Sequence, residues 1–174
     1  MVCLIIESAF THRQGGDRLD GEALTKYIGL YHGTVYRLAF SYVKNCADAE
    51  DITQEAFLRL YKYDGSFAAD DNCRAWLIRV TINLSKNLLR SGWFTKRTEL
   101  SEDIPYENKE DRALYECVMA LPQKYRTTIH LYYYEGYSVK EIADILGATA
   151  SAVTTRLMRG REQLKEMLLK EGLQ

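Results

Sequence analysis

The chain has 174 residues, room for one ordinary domain or two small ones. Apolar residues make up 47%, enough for packed cores, while only two prolines and few alternating β-branched runs argue against sheets and for an almost wholly α-helical protein. A net charge of −1 speaks against a uniformly basic nucleic-acid binder, but the charges are segregated: residues 74–98 hold six Arg or Lys and no acid, and residues 101–116 hold six acids and two bases.

Residues 1–22 start with the apolar run Val2 to Ile6, which is too short for the core of a signal peptide and has no basic residue before it. Gly15, Gly16 and Gly21 then interrupt any helix, so a loosely docked extension is expected here. From Ala23, the residues Leu24, Tyr27, Ile28, Tyr31, Val35, Leu38, Ala39 and Tyr42 recur at steps of three and four, which predicts a helix up to Lys44-Asn45 with a possible joint at Gly29 or Gly33. A second helix, Ala47 to Tyr63, turns Ile52, Ala56 and Leu60 inward. Its other side carries Asp51, Gln54, Glu55, Leu58 and Tyr61. An acidic face with an exposed leucine is either a solvated surface or a dock for a partner rich in arginine.

Asp64 to Asn72 reads as a loop by its Gly, Ser and Asp content, with Phe67 in the middle. A loop aromatic either tucks onto the core or stacks on an unpaired base. Arg74 to Arg90 is a helix with Leu77, Thr81, Leu84 and Leu88 on one side. On the other it has an acid-free stripe of Trp76, Arg79, Asn83, Lys86, Asn87 and Arg90. Bases track phosphates, amides bond base edges and aromatics stack, so the stripe suits nucleic acid better than bare solvation. Ser91 to about Asn108 lacks a sustained apolar period and shifts from basic to acidic, the pattern of a linker.

Helix resumes at Lys109, where Leu114, Val118 and Leu121 form a stripe ending before Pro122, and a further helix is expected over Gln123 to Tyr134, closed by Gly136. Ser138 to Arg161 then reads as a helix-turn-helix. Val139, Ile142, Ala143 and Leu146 line a short helix that ends at Gly147, and Thr149 can cap a second helix by accepting an N–H from Ser151 or Ala152. Val153, Leu157, Gly160 and Leu164 make its buried stripe, and small Ala143 and Gly160 are expected to let the two helices approach closely. The opposite face presents Ser151, Thr154, Thr155, Met158 and Arg159, a set able to read base edges and hold phosphates.

Cys3, Cys46, Cys73 and Cys117 lie far apart and His12, His32 and His130 stand alone, so no zinc site is written and reduced, structural thiols are expected. No metal or cofactor is expected. With no run of about 18 apolar residues, a membrane span is not expected either, and the cytoplasm is the expected compartment.

Three blocks, DAEDITQEAFLRLYK, WLIRVTINLSKNLLR and LPQKYRTTIHLYYYEGYSVKEIADILGATASAVTTRLMRGREQL, stand in an order that resembles a bacterial RNA polymerase sigma factor of the extracytoplasmic-function group. The resemblance covers about residues 24–169. It implies two small helical domains joined by a flexible linker: an extension at 1–22, region 2 at 23–92, the linker at 93–110 and region 4, with the helix-turn-helix, at 111–174. Asp51, Gln54, Glu55 and Leu58 then resemble the surface that binds the clamp helices of the polymerase β′ subunit. Phe67 resembles a residue of the loop that captures a flipped base of the minus-ten element, with Asn83, Lys86 and Asn87 as reader and strand separator and Trp76, Arg79 and Arg90 along the same stripe. Thr149, Ser151, Thr154, Thr155, Met158 and Arg159 match the minus-thirty-five reader. The family often has Arg or Lys at the Thr154 position and Ala at the Gly160 position, so this chain departs there. The implied partners are core polymerase, promoter DNA and an anti-sigma factor, often membrane-anchored. A stand-alone helix-turn-helix regulator is the alternative, but it leaves the stripe of residues 76–90 unexplained. No nucleophile, metal spacing or phosphate loop supports an enzyme.

Overall fold

The computed structural model describes residues 21–65, 67–91, 109–170 and 172. Of the extension expected at 1–22, residues 1–20 lie outside the described residues, and Gly21 and Glu22 open the first helix; of the linker expected at 93–110, residues 93–108 lie outside them, and Lys109 and Glu110 open a helix. All regular structure among the described residues is helical: α1 Gly21–Val43, α2 Cys46–Tyr61, α3 Asp70–Arg90, α4 Lys109–Ala120, α5 Gln123–Ile129 continued by a π-helical turn His130–Tyr134, α6 Val139–Leu146 and α7 Ala150–Lys170. The chain divides into two compact units, Met1–Thr98 and Glu99–Gln174.

In the first unit α1, α2 and α3 pack on one another around Leu24, Tyr27, Ile28, Val35, Ala56, Phe57, Leu60, Cys73 and Leu77. Helix α1 runs through Gly29 and Gly33 unbroken, because its apolar period continues across them and packing outweighs the cost of about 1 kcal/mol per glycine. It ends at Lys44, whose φ of 56° turns the chain, and Asn45 caps α2 by accepting the Asp48 N–H at 2.9 Å. The inward face of α2 is wider than the three-residue stripe, since Thr53 and Phe57 are buried as well. Thr53, Thr81 and Ser85 sit in this core because each hydroxyl donates to the carbonyl four residues back, at 2.7–2.8 Å, so no donor is stranded. Burial pushes the Cys73 thiol up to about 12, which makes it an inert apolar filler. Among the described residues Cys46, Cys73 and Cys117 form no disulfide.

The second unit is built around α5. Tyr125 to Leu131 are all buried, and seven successive residues at about 100° each point in every direction, so neighbours enclose the helix. Arg126 is among them at 4% exposure, its Nη1 donating to the Met119 carbonyl at 2.6 Å and the Leu121 carbonyl at 2.8 Å. These oxygens belong to the end of α4 and the residue after it, where helical carbonyls lack partners, so a guanidinium caps α4 from inside the core. The expected single helix over 123–134 changes to π winding at His130. His130, expected to stand alone, lies with Nε2 3.3 Å from the Glu135 carboxylate, both side chains buried.

Helix α7 packs against α4, α5 and α6. Gly160 is buried, but the helix it admits is not its helix-turn-helix partner. A Cβ there would lie 2.8 Å from Ile129 Cδ1 and 3.3 Å from Tyr125 Cβ, so the glycine serves the α5–α7 crossing and not the expected α6–α7 approach. Gly160→Leu should therefore destabilise this unit by about 1–3 kcal/mol through overpacking. In Gly160→Ala the helix gain of about 0.5–1 kcal/mol and the displacement of Ile129 should nearly cancel. Thermal unfolding of both variants checks the pair of outcomes.

Candidate nucleic-acid interface

The first unit presents one face of α3 to solvent. Arg79, Asn83, Lys86, Asn87 and Arg90 are all exposed and follow at steps of three and four, a single stripe two turns and more in length. The opposite side, Cys73, Leu77, Ile78, Thr81, Ile82 and Ser85, is buried and fixes the rotation of the helix. Trp76 was expected on the stripe but is half-buried and packs against the core. An indole is too apolar to stand in water when a core edge lies within reach.

The helix also starts earlier than the expected Arg74, and it is acid-free only beyond its first turn. Asp70 and Asp71 occupy that turn, where carboxylates favour the N-terminal end of the helix dipole. Asp70 accepts from Lys26 Nζ at 2.6 Å and from the Tyr27 hydroxyl at 3.1 Å, and its carbonyl accepts from the Tyr31 hydroxyl at 3.2 Å. The Lys26 bond, helped by Tyr27 against burial, holds the Asp70 carboxyl below its ordinary value. The tie is thus present at neutral pH and is lost only as pH falls through that lowered value. It pins the start of α3, and the loop before it, to α1.

Phe67 in that loop does not project freely. Its ring stacks on Tyr63 at 5.0 Å and meets Trp76 edge-on at 6.0 Å and Tyr27 at 6.5 Å, so the tucked alternative holds in this structure. Gly65 lies flat over the Tyr63 ring, where a Cβ would come within 2.6 Å of the phenol. The result is a half-buried aromatic cluster at the mouth of the loop, next to the N-terminal end of the stripe.

On α2, Asp51 is exposed, while Gln54, Glu55 and Leu58 are half-buried and share its face by spacing. Leu58 is therefore less exposed than expected. Tyr61, expected outward, packs against the core. Glu55 accepts from Arg59 Nε at 2.9 Å, so part of its charge is answered within the helix and Asp51 carries the cleaner negative charge.

In the second unit Ser138 opens α6 with a reciprocal cap: its hydroxyl oxygen accepts the Glu141 N–H at 3.3 Å, and Glu141 accepts the Ser138 N–H at 2.8 Å. Gly147, at φ 61°, ends α6 after Leu146 in the left-handed conformation. Thr149 caps α7 by accepting from Ala152, one of the two expected donors, at 3.2 Å. Ile145 joins the buried face of α6 beside Ile142 and Ala143. Outward, Ser151, Thr154, Met158 and Arg159 are exposed and Thr155 is half-buried. The Thr154 and Thr155 hydroxyls donate to the carbonyls of Ala150 and Ser151 at 3.0 and 2.9 Å, which leaves their methyls and oxygen lone pairs available to a base edge.

The candidate residues thus gather on three surfaces: the α2 face, the α3 stripe with its aromatic loop, and the outer face of α7. Spacing alone missed Asp70, Arg126 and the Ser138 cap. The S-x-x-E at 138–141 and the paired acids at 70–71 were readable start signals, whereas nothing local marks Arg126 as buried.

The family described as Sigma-70 region 2 matches residues 27–95, and that described as Sigma-70, region 4 matches residues 111–164. The ECF RNA polymerase sigma factor SigW of Bacillus subtilis is 30% identical over 169 residues, covering 86% of this chain and 90% of its own. RNA polymerase sigma factor SigV of the same organism is 33% identical over 146 residues, covering 79% and 86%. Among solved structures, the sigma factor RpoE in complex with the anti-sigma factor NepR from Bartonella quintana has a TM-score of 0.72 at 20% identity, covering 83% of this chain and 95% of that one. CnrH in complex with the cytosolic domain of CnrY has a TM-score of 0.62 at 22% identity, covering 95% of each. These two show likeness of fold.

Proposed function

The chain belongs to the extracytoplasmic-function group of sigma-70 RNA polymerase sigma factors, which direct the polymerase to promoters, and from that premise we propose how its surfaces divide the work. The N-terminal domain, residues 23–92, binds core polymerase through Asp51, Gln54, Glu55 and Leu58 on the β′ clamp helices. It engages the minus-ten element with Arg79, Asn83, Lys86, Asn87 and Arg90. The C-terminal domain, residues 111–174, lays α7 in the major groove of the minus-thirty-five element, with Thr149, Ser151, Thr154, Thr155, Met158 and Arg159 toward the DNA. Residues 93–110 join the two. The observation that carries this reading is the exposed α3 stripe, five bases and amides on a helix whose other side is locked into the core.

Phe67 and Trp76 take a different part from the one expected of free stacking residues. They form the aromatic wall of the capture site, over which an extruded base can lie once the Tyr63–Phe67 stack gives way. Extrusion costs a few kcal/mol, and the wall and the stripe must return it. The protein catalyses nothing itself, and it works in the cytoplasm with the polymerase. RpoE of similar fold was solved with an anti-sigma factor, which supports a partner of that kind here, membrane-anchored as is common in the group.

Run-off transcription with core polymerase on a promoter library tests the whole. Defined starts are expected. Their absence, together with tight binding of the free protein to duplex DNA, would turn the reading to a stand-alone regulator. In the same assay Asn83→Ala should cost roughly 1–3 kcal/mol of discrimination at the downstream element and little upstream, while Arg159→Ala should do the reverse. Equal losses at both elements count against the division.

A further inference from the structure

Helix α3 begins without a side-chain cap. Its N-cap is Ala69, whose methyl group has no oxygen to offer, and Asp70, Asp71 and Asn72 are not buried, so the first core anchor of the helix is Cys73. An uncapped, unburied first turn frays readily. Here three side chains of α1 take hold of it at one residue. Lys26 Nζ donates to Asp70 Oδ2 at 2.6 Å, the Tyr27 hydroxyl donates to Oδ1 at 3.1 Å, and the Tyr31 hydroxyl donates to the Asp70 carbonyl at 3.2 Å. An exposed Lys–Asp pair alone is weak, because two long side chains must be ordered to make it. The phenols change that balance: Tyr27 is buried and Tyr31 packs against the same core, so their hydroxyls are in place before the bonds form. Lys26 is steadied in turn, with its Nζ 5.5 Å from the centre of the Tyr27 ring.

Tyr27 also touches the loop. Its ring meets Phe67 edge-on at 6.5 Å, so one α1 side chain both bonds the residue that opens α3 and packs on the aromatic three residues before it. The other support of Phe67, its stack on Tyr63, is a ring-on-ring contact that an incoming base can replace in kind. A base cannot replace the bonds to Asp70. We propose that Asp70 is a positioning residue for base capture, held to that task by Lys26 and Tyr27. It keeps the start of α3 and the residues just before it fixed while a base takes its place against the aromatic wall. This rests on the reading of Phe67 and Trp76 as that wall. None of the three has to touch the base. Asp70 stands at the end of a helix whose stripe faces a polyanion, where a carboxylate repels phosphate, so it is there for what it holds and not for what it contacts.

The test uses holoenzyme made from the full chain and core polymerase, with labelled single strands carrying the minus-ten element of a promoter selected by run-off. Fluorescence anisotropy gives the affinity of the intact strand and of strands with an abasic site at each position of the element in turn. In the wild type one position should stand out, its missing base costing roughly 10-fold, as a lost stack does. In Asp70→Asn and in Tyr27→Phe that cost should fall below about 3-fold, while the strand lacking the base binds at least as well as it does to the wild type. Asp70→Glu keeps the charge within reach of Lys26 and should restore most of the ratio. A carboxylate acting through its charge alone gives a different pattern: Asp70→Asn then tightens every strand alike, and Tyr27→Phe changes nothing. Unchanged ratios in both variants overturn the positioning role. Tyr27→Phe keeps the buried ring in the core, so it reads the same loss even where Asp70→Asn melts early. A wild type in which no position stands out overturns the capture site itself, and the positioning role with it.

Discussion

Replacing Arg126 by alanine should lower the melting temperature of the C-terminal unit by roughly 10–25 °C while the N-terminal transition stays in place. The guanidinium is 4% exposed and donates to two main-chain oxygens, at Met119 and Leu121, that water cannot reach to replace it. Truncation strands both acceptors and opens a cavity inside the most enclosed helix of the unit. Two charge-assisted bonds of this kind are together worth about 2–4 kcal/mol. In a unit this small, each kcal/mol moves the midpoint by about 4–8 °C. Arg126→Lys should recover only part of the loss, since an ammonium lacks the fork that reaches two carbonyls at once. Differential scanning calorimetry of the full chain separates the two transitions, and a fall in both would refute the assignment of Arg126 to one unit. Upstream recognition should weaken in step with the C-terminal transition, because α7 is held partly by α5.

The largest functional effect is expected for Asp51→Arg combined with Leu58→Ala. The double variant should bind core polymerase about 100-fold more weakly, or about 2.7 kcal/mol, and lose run-off transcription in proportion. Asp51 is exposed and Glu55 already answers Arg59, so reversing Asp51 removes the least compensated negative charge on that face and sets a cation against the arginine-rich partner proposed for it. Leu58 supplies the apolar contact between the charges, and its half-burial limits the stability cost of truncating it. Circular dichroism should show an intact fold. Undiminished co-purification with the polymerase would remove the α2 face from the proposal.

The helices were legible because each buried face keeps a period of three and four, and the breaks at Lys44, Pro122, Gly136 and Gly147 are made of residues that leave helical geometry readily or, at Lys44, are forced to by the next cap. What periodicity could not reveal was which neighbour a face meets. Gly160 reads as a small residue on a buried stripe under either partner, and only the tertiary crossing assigns it to α5. Trp76 is the same kind of case. Its position belongs to the α3 stripe, but a large ring covers ground well beyond its own Cβ, and the aromatic cluster of Tyr63 and Phe67 drew it inward. Arg126 was the hardest to see, since an arginine in a helix is solvated unless the fold provides carbonyl oxygens for it. Those oxygens belong to the end of a different helix and the residue after it.

Among the described residues the core of the first unit is closed by α1, α2 and α3, and the last of these ends at Arg90. On the ribosome, residues are added at about 5–20 per second, so roughly 80 residues and 4–16 seconds of synthesis separate that point from the end of α7. The growing chain therefore completes the half proposed to face the polymerase before the helix proposed to read the upstream element has been made. Whatever meets the nascent protein first, polymerase or inhibitor, meets it as a three-helix body with an acidic face and no upstream grip.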